Sequence, residues 1–536
     1  MLFGFALGKI GLLDPDEPFY SLTAKEMLVR HDPSTPVLFG RPQFEKPILF
    51  YWVLYSSFRW LGVSEFSARL GPVLAGILTV LVTYLWALAL FKRRRAAFLS
   101  AFFLAASGQF MVMSRIVLTD IFLCLFVTCA FCCFTLGHQN EKNRAFYWNL
   151  MFFFFALGFL TKGPLGLLIP LSGILSYFYF SGEHRFFKQI PWMSGGILFA
   201  IVALPWYVLM TYEHAGFLKH FFLHENVRRF FVAEHRGSDK LLFYPIVLFI
   251  GFFPWSIFIS SALFYAARKT LSGQKRFLFL FGSFSICLVF FILAKSKLIS
   301  YFFPLYPVLA LMTGAWMDRF LRSAGPRARA GFFLKAGTAL LWVLAPPALL
   351  VATFIYARKN EVDLLRPLIY CAVTSMLFSW IAAGLFFARY YRAALAWMGI
   401  SMVFFSALSF SSVLPAVEDI FSSKKSAQDY REFVRGSPSA LILASKLFVR
   451  GISYYTGDPN VGVFSDRPSG GFYTPHPIRV ISDKNQLAAI LPGEFPVYLL
   501  IREKEVKKLR EITGSEYSVS VLENNPSRCW VRLERV

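Results

Sequence analysis

Carboxylates and cations in six short motifs are the residues whose types and spacing could do chemistry. The first motif, LLDPDEPFY at residues 12–20, gathers Asp14, Asp16 and Glu17 directly after an apolar N-terminus. A carboxylate there could take or hold a proton during group transfer. It could equally cap the helix predicted for PFYSLTAKEML. Capping explains Asp14 and Glu17 as well as chemistry does, and it explains Asp16 less well once the neighbouring motifs are considered.

The second and third motifs add two cations and two more acids. Glu45 and Lys46 precede Pro47 in RPQFEKPILFYW, and this proline stops a helix from running back through them. Lys46 could bind an anion at the membrane surface, or it could be an interfacial lysine whose charge reaches back to water. In MSRIVLTD, Arg115 and Asp120 stand at the entrance of a membrane helix, which Asp120 could instead cap.

The remaining three motifs are rich in lysine and histidine. Lys162 ends a predicted span in LTKGPLG, and Lys295 and Lys297 precede Tyr301 in AKSKLISYFFPLYP. Snorkelling to water is the alternative role for both members of that lysine pair. The segment 211–240 holds half of the eight histidines of the chain together with several arginines, namely His214, His220, His224, His235, Arg228, Arg229 and Arg236.

The elements that must position these motifs are membrane helices. The chain has 536 residues, of which 56% are hydrophobic and 16% charged, and this is too apolar for a soluble protein of such length. Windows of about 20 apolar residues recur, as spanning helices require. The predicted spans are 69–91, 96–113, 117–137, 146–161, 164–180, 190–210, 241–264, 277–294, 299–317, 331–355, 366–388 and 393–412.

The net charge of +24 indicates topology and not nucleic-acid binding, because the basic residues lie in loops between apolar helices. Every second loop is basic and predicts a cytoplasmic face under the positive-inside rule. These loops are KRRR, EKNR, GEHRFFK, ARKTLSGQKR, DRFLRSAGPRAR and RYYR. All six motifs then fall on the opposite face. Acids surrounded by Lys and Arg on one membrane face predict a site for group transfer from a lipid-linked phosphate.

Two regions follow from this pattern. Residues 1–412 form the transmembrane domain, in which 14–68 and 211–240 are interfacial segments with helices lying along the membrane surface. Residues 413–536 form a small α/β domain with strands predicted at 440–444, 476–482, 495–501, 517–522 and 529–536. Residues 1–13 would reach only about 20 Å as a helix, so either the first helix begins upstream or the bilayer adapts to it.

The motif order resembles one family. L-D-x-D-E-x-x-Y, F-E-K-P-x-L-x-Y-W, G-x-S-E-F-x-A-R-L, R-x-V-L-T-D, T-K-G-P and K-S-K-L-x-x-Y are similar to the aminoarabinose transferase branch of the GT-C integral-membrane glycosyltransferases. These enzymes are related to protein O-mannosyltransferases. The resemblance covers nearly all of residues 10–310. It implies a multi-pass enzyme of the bacterial inner membrane with about thirteen spanning helices and with its site and C-terminal domain in the periplasm.

The resemblance also implies an activity: inverting transfer of a sugar from undecaprenyl phosphate to a lipid acceptor such as lipid A. By position, Asp16 would be the catalytic carboxylate, with Asp120 a second important acid. The substrate-binding residues implied are Lys46 and Arg229 at the carrier phosphate, Tyr20 and Tyr301 lining the pocket, and Lys295 and Lys297 as a lysine pair.

Two questions stay open at this stage. Glu45 resembles a family metal ligand, but its partner could be His220, His224 or His235, and the chemistry itself requires no metal ion. The acceptor could instead be a protein or another polymer. A non-enzymatic flippase for lipid-linked sugars is the alternative outside the enzymes, although alternating access favours inverted repeats over charge clustered on one face.

Overall fold

The structure is a computed structural model. It describes residues 3–228, 231, 240–323, 337, 339–344, 347, 351, 365–436, 441–458, 461–464, 480–481, 486, 496–515, 517–525 and 528–535. The predicted helical membrane fold with a C-terminal α/β domain is confirmed.

The first half of the chain is a succession of helices joined by short loops. They are α1 Asp16–Val29, α2 Leu49–Leu61, α3 Glu65–Phe91, α4 Arg94–Ala105, α5 Gly108–Met113, α6 Asp120–Gln139, α7 Arg144–Lys162, α8 Leu165–Ser181, α9 His184–Gln189 and α10 Trp192–Glu213. A two-stranded ribbon, β1 Val37–Leu38 and β2 Arg41–Pro42, lies between α1 and α2.

The second half continues the bundle and then changes to α/β structure. A π-helix Lys219–Arg228 is followed by α11 Phe243–Gly251, α12 Ile259–Leu271, α13 Lys275–Leu293, α14 Tyr306–Ser323, α15 Leu365–Phe387, α16 Tyr391–Leu408, α17 Leu414–Phe421 and α18 Lys424–Gly436. Then follow β3 Leu441–Ser445, α19 Val449–Thr456, β4 Gly462–Phe464, β5 Val480–Ile481, β6 Val497–Ile501, α20 Glu503–Thr513, β7 Tyr517–Asn525 and β8 Arg528–Arg535.

Within the described residues, seven helices are long and apolar enough to cross a membrane, or eight if one bent pair counts as a single span. This is fewer than predicted. The segment expected at 96–113 is divided into α4 and α5, because Ser107 is extended and the Gly108 amide donates to the Phe253 carbonyl. The segment expected at 241–264 bends by 119° between α11 and the helical turn Trp255–Phe258. Most of 331–355 lies outside the described residues.

Helix α1 differs from the amphipathic surface helix predicted for it. It is buried on nearly all sides from Glu17 to Ala24. It packs against α2 on one side and against α19 of the C-terminal domain on another. The apolar and polar residues of α1 are therefore both covered, because a domain remote in sequence lies over the face that the sequence pattern assigns to water.

The C-terminal domain is built on a mixed sheet with strand order β5-β4-β3-β6-β8-β7. Its first four strands are parallel, whereas β8 pairs antiparallel with both β6 and β7. The five predicted strands correspond to β3, β5, β6, β7 and β8. The sequence analysis missed β4 and α19, and β4 is too short, at three residues, to show an alternating pattern.

A buried ion pair joins the N-terminal segment to the bundle. The Glu17 side chain is fully buried and accepts hydrogen bonds from Nε and Nη2 of Arg69 at 3.0 and 2.6 Å. It also accepts from the Leu13 and Val117 amides. Arg69 in turn donates to the carbonyls of residues 7, 10 and 11. Glu17 is therefore a structural link between α1, α3 and the turn before α6.

The C-terminal domain docks on the same N-terminal segment. The Asp14 amide donates to the Phe421 carbonyl at 2.6 Å, and Asp14 Oδ2 accepts from Ser423 Oγ at 2.5 Å. The Leu12 amide donates to the Tyr455 hydroxyl at 2.6 Å. No side chain caps the N-terminus of α1, so of the two roles left open for Asp14 the structure does not show capping. Asp14 is a domain-interface residue because its side chain faces Ser423 and Arg528.

We predict that Glu17→Ala destabilises the whole fold. The substitution leaves the Arg69 guanidinium buried without its carboxylate, which costs about 3–5 kcal/mol. The thermal unfolding midpoint in detergent should fall by several degrees, whereas the control Glu141→Ala, on an exposed loop, should leave it unchanged. Equal midpoints for the two variants would contradict the structural role of the pair.

We predict that the domain interface weakens as pH rises towards 7. Burial raises the pKa of Asp14 to about 7, while Ser423 and Arg528 oppose the rise and Glu17 adds to it. The folded state therefore holds this proton more tightly than the unfolded chain, and the resulting stabilisation is lost as pH passes from the ordinary value of 3.8 to about 7. Limited proteolysis between pH 5 and 8 should show this trend, and Asp14→Asn should flatten it. An unchanged trend in that variant would refute the assignment.

Candidate active site

Asp16 is the accessible carboxylate of a crowded polar region. It is the first residue of α1 and is exposed, whereas the next residues of the helix are buried. Burial by the surrounding protein nevertheless raises the pKa of Asp16. The positive charges of Arg450 and Lys46 oppose that rise, and the negative charges of Asp120 and Glu45 reinforce it. Asp16 therefore shares one electrostatic neighbourhood with residues from three other parts of the chain.

Tyr20 lies one helical turn after Asp16 and is buried. Its ring packs edge-on against Phe50 at 5.1 Å between centroids and lies 6.0 Å from Tyr51. Burial raises the pKa of the Tyr20 hydroxyl, and the charges of Asp16 and nearby acids add to the effect. Tyr20 is thus a neutral phenol that forms part of the wall of this region.

Asp120 is held by a buried lysine. It is the first residue of α6, and its Oδ1 atom lies 2.5 Å from Nζ of Lys162, the last residue of α7. Both side chains are less than a tenth exposed. The Lys162 ammonium also lies 5.0 Å from the centre of the Tyr301 ring. The structure therefore joins Asp120, Lys162 and Tyr301, which come from three of the predicted motifs.

Glu45 and Lys46 lie in a loop that is braced by its neighbours. The side-chain amide of Gln43 makes two hydrogen bonds. Its Nε2 atom donates to the Tyr51 hydroxyl at 2.6 Å, and its Oε1 atom accepts from the Glu45 backbone amide at 3.1 Å. Lys46 is half-buried, and its ammonium donates to the Glu45 carbonyl at 3.0 Å. These bonds place the ammonium close to its own loop, in a position from which its charge acts on Asp16.

The predicted lysine pair is divided between two environments. Lys297 is only 3% exposed, whereas Lys295 is exposed on the same loop after α13. Tyr301, which follows, is the residue of this motif that contacts Lys162. Of the pair, only Lys297 is enclosed by the protein.

The segment 211–228 lies against the loop that carries Glu45. The Phe44 ring packs on His214 and Phe217 with centroids 5.1 and 4.8 Å apart. His220 Nε2 lies 3.9 Å from Glu225 Oε1. Arg229 and His235 lie outside the described residues, as does the side chain of His224.

The described residues do not form a ligand set for a metal ion. Among them, no three His, Cys, Asp or Glu side chains converge on one point. Glu45 alone cannot hold a divalent ion, since such sites need several ligands. Metal binding at Glu45 stays a prediction.

Sequence analysis missed Arg450 as a member of this region. It lies on α19, the residue is only 9% exposed, and its guanidinium carbon lies 4.5 Å from the centre of the Phe19 ring. No sequence signal marks it, because it belongs to an ordinary short helix more than 400 residues after Asp16. The pairing of Lys162 with Asp120 was also missed, although the T-K-G-P motif pointed to the lysine.

The arrangement can support transfer from a phosphate ester. One accessible carboxylate, Asp16, can orient or deprotonate an attacking group. Lys46 and Arg450 can stabilise negative charge near it, and Asp120 is already balanced by Lys162. Asp120 and Lys162 are end residues of candidate spanning helices, and Asp16, Lys46 and Arg450 lie outside those helices. A lipid-linked phosphate would be found at this level.

Comparisons with known proteins agree with this chemistry. The family profile of the dolichyl-phosphate-mannose-protein mannosyltransferases matches residues 10–221. The chain is 30% identical over 388 residues to the undecaprenyl phosphate-alpha-4-amino-4-deoxy-L-arabinose arabinosyl transferase of Pseudomonas paraeruginosa, covering 72% of this chain and 69% of the relative. A relative of that description in Proteus mirabilis is 30% identical over 318 residues, and the match spans 56% of its length and 57% of this chain.

A solved structure shares the fold. The crystal structure of ArnT from Cupriavidus metallidurans bound to undecaprenyl phosphate is 20% identical to this chain and superposes with a TM-score of 0.80. The superposition covers 99% of this chain and 96% of the other. The likeness of fold therefore extends through the C-terminal domain, well beyond residues 10–221 matched by the family profile.

We predict strong coupling between Asp120 and Lys162. Removing either charge alone leaves its partner buried and unpaired, which costs about 3–5 kcal/mol. Asp120→Asn and Lys162→Met should each lower the unfolding midpoint, and the double variant should recover most of the loss. Effects that simply add in a double-mutant cycle would show that the pair does not act as a unit.

Proposed function

This chain belongs to the undecaprenyl phosphate-aminoarabinose arabinosyl transferase family of polyprenyl-phosphate-dependent membrane glycosyltransferases, and from that premise we propose that it glycosylates a lipid A-like acceptor. The donor in this proposal is a sugar carried on undecaprenyl phosphate. The observation that carries the proposal is the accessible Asp16 carboxylate among Lys46, Arg450 and the paired Asp120. A carboxylate with two cations near it suits an acceptor that attacks beside a departing phosphate.

In the proposed reaction, an oxygen of the acceptor attacks the anomeric carbon of the sugar. The bond from that carbon to the carrier phosphate breaks, and both electrons leave with the phosphate oxygen. Attack from the opposite face inverts the configuration. Lys46 stabilises the charge on the leaving phosphate, and Arg229 is assigned the same role by its position in the family motif order. Polyprenyl phosphate is a good leaving group, so no strong acid is needed.

Asp16 serves the acceptor in this proposal. A hydroxyl acceptor must lose its proton, and Asp16 would accept that proton. An ionised phosphate, such as those on lipid A, needs mainly to be held in line with the anomeric carbon. The protein's own cations supply the positive charge that either reaction requires, so the proposal calls for no metal ion.

We place the site on the periplasmic side of the inner membrane. The support is the distribution of charge in the sequence, which predicts the basic loops on one face and the motifs of the candidate site on the other. The relatives are bacterial proteins. Carrier and acceptor would then meet at the outer surface of the inner membrane.

A second candidate is a transferase that modifies a protein or another polymer. The observation that favours it is the match of residues 10–221 to the protein mannosyltransferases. Incubating the purified protein with undecaprenyl-phosphate-linked sugars and then weighing lipid A by mass spectrometry distinguishes the two. We expect lipid A to gain the mass of one sugar residue, whereas unmodified lipid A beside a glycosylated protein would establish the second candidate.

We predict that Asp16→Asn abolishes transfer and leaves the protein folded. Asp16 is exposed, and among the described residues its side chain has no hydrogen bond or ion pair, so the unfolding midpoint should not move. Loss of a positioned base typically costs about 10²–10⁴-fold in rate. The rate of sugar transfer in detergent is the measurement, and transfer at the wild-type rate would remove Asp16 from the mechanism.

We predict that Lys46→Ala weakens donor binding more than turnover of bound donor. A hydrogen bond between charged groups contributes about 1.5–3 kcal/mol, so the affinity for undecaprenyl phosphate should fall at least about tenfold. Arg41→Ala is the matched control, because Arg41 is exposed a few residues earlier in the same segment. Unchanged affinity in Lys46→Ala would exclude this lysine from the phosphate site.

A further inference from the structure

The C-terminal domain inserts a charged side chain beside the candidate catalytic carboxylate. Arg450 projects from α19 onto the ring of Phe19, with 4.5 Å between the guanidinium carbon and the ring centre. Phe19 lies on α1 between Asp16 and Tyr20, and its ring contacts that of Tyr20 at 4.9 Å. The arginine is therefore held on the helix that begins with Asp16.

We propose that Arg450 binds the anionic group of the acceptor, so that the C-terminal domain completes the active site. This inference rests on the proposed function and deepens it, because it names the feature by which the acceptor is recognised. A guanidinium presents paired N–H donors that match a phosphate bidentately. A residue in this position would favour phosphate-bearing acceptors over neutral hydroxyl acceptors.

The position of Arg450 is fixed by close packing of α19 on the N-terminal segment. A Cβ atom added at Gly451 would come within 2.4 Å of Asp14 Oδ1, so only glycine permits this approach. Lys25 Nζ donates to the Tyr454 carbonyl at 2.6 Å, which ties α19 to α1 on the other side. Arg450 is therefore preorganised, and little conformational entropy is lost when it binds a ligand.

Two cations near Asp16 suit two anions. Lys46 comes from the loop before α2, and Arg450 comes from a separate domain outside the spanning helices. Arg450 is the stronger of the two in opposing the raised pKa of Asp16. An anion on Arg450 would thus lie beside the carboxylate that serves the acceptor, while the carrier phosphate is bound by Lys46.

Initial rates test this assignment, with donor and acceptor varied separately. Arg450→Ala should raise the KM for lipid A by at least about tenfold, the loss of one charge-assisted bond, and leave the donor KM unchanged. Arg450→Lys keeps the positive charge but loses the paired N–H donors of the guanidinium. Its KM for lipid A should lie between those of the wild type and Arg450→Ala. Inorganic phosphate should inhibit the wild type competitively against lipid A, and Arg450→Ala should be less sensitive to it.

A matched control separates acceptor binding from domain docking. Lys424→Ala removes the ion pair of Lys424 with Glu65, 2.8 Å apart at the same interface, and should leave the acceptor KM unchanged. If Arg450→Ala does not fold, as judged by its unfolding midpoint, the acceptor KM and the phosphate inhibition of Arg450→Lys decide the question.

Three results would overturn the inference. An unchanged acceptor KM in both Arg450 variants shows that the arginine only holds the domain in place. A rise in donor KM instead assigns Arg450 to the carrier phosphate. Failure of the wild-type protein to modify lipid A refutes the proposed function and this inference with it. Because that result needs no variant, it can be distinguished from failure of the inference alone.

Discussion

The buried pair between Glu17 and Arg69 is the interaction on which the rest of the structure depends. It connects the start of α1, the N-terminal segment, α3 and the turn that precedes α6, with both carboxylate oxygens hydrogen-bonded. A buried ion pair adds little net stability relative to apolar residues, but losing one partner is costly. Its effect here is geometric, because Asp16 directly precedes Glu17 in the chain and Asp120 lies three residues after Val117, whose amide is bonded to Glu17. One ion pair therefore holds both candidate acids in a fixed relation.

The charges around that pair differ in exposure, and the differences correspond to roles. Asp16 is open to solvent and free to meet a ligand, whereas Asp120 is buried and neutralised by Lys162. Lys46 reaches the region from a braced loop. Arg450 reaches it from a domain that also hydrogen-bonds to residues 12 and 14. The C-terminal domain thus packs on the N-terminal segment and also places Arg450 near the candidate site.

Sequence reasoning identified the helical membrane fold, the α/β domain and most of the polar residues that meet. Hydropathy and charge asymmetry suffice to place motifs on one face, which is why Asp16, Glu45, Lys46 and Asp120 could be grouped. Contacts between distant segments could not be predicted that way. The break at Ser107, the covered face of α1 and the insertion of Arg450 all depend on which surfaces pack together. A three-residue strand such as β4 carries too few side chains to show a period.

A structure of the protein with an undecaprenyl-phosphate-linked sugar bound would test the central claim most directly. That claim is that a single site forms around Asp16, with the carrier phosphate at Lys46 and the acceptor approaching from the side of Arg450. The account predicts density for the phosphate within hydrogen-bonding distance of Lys46 and for the sugar beside the Asp16 carboxylate. A sugar bound away from both residues, on another part of the molecule, would contradict it.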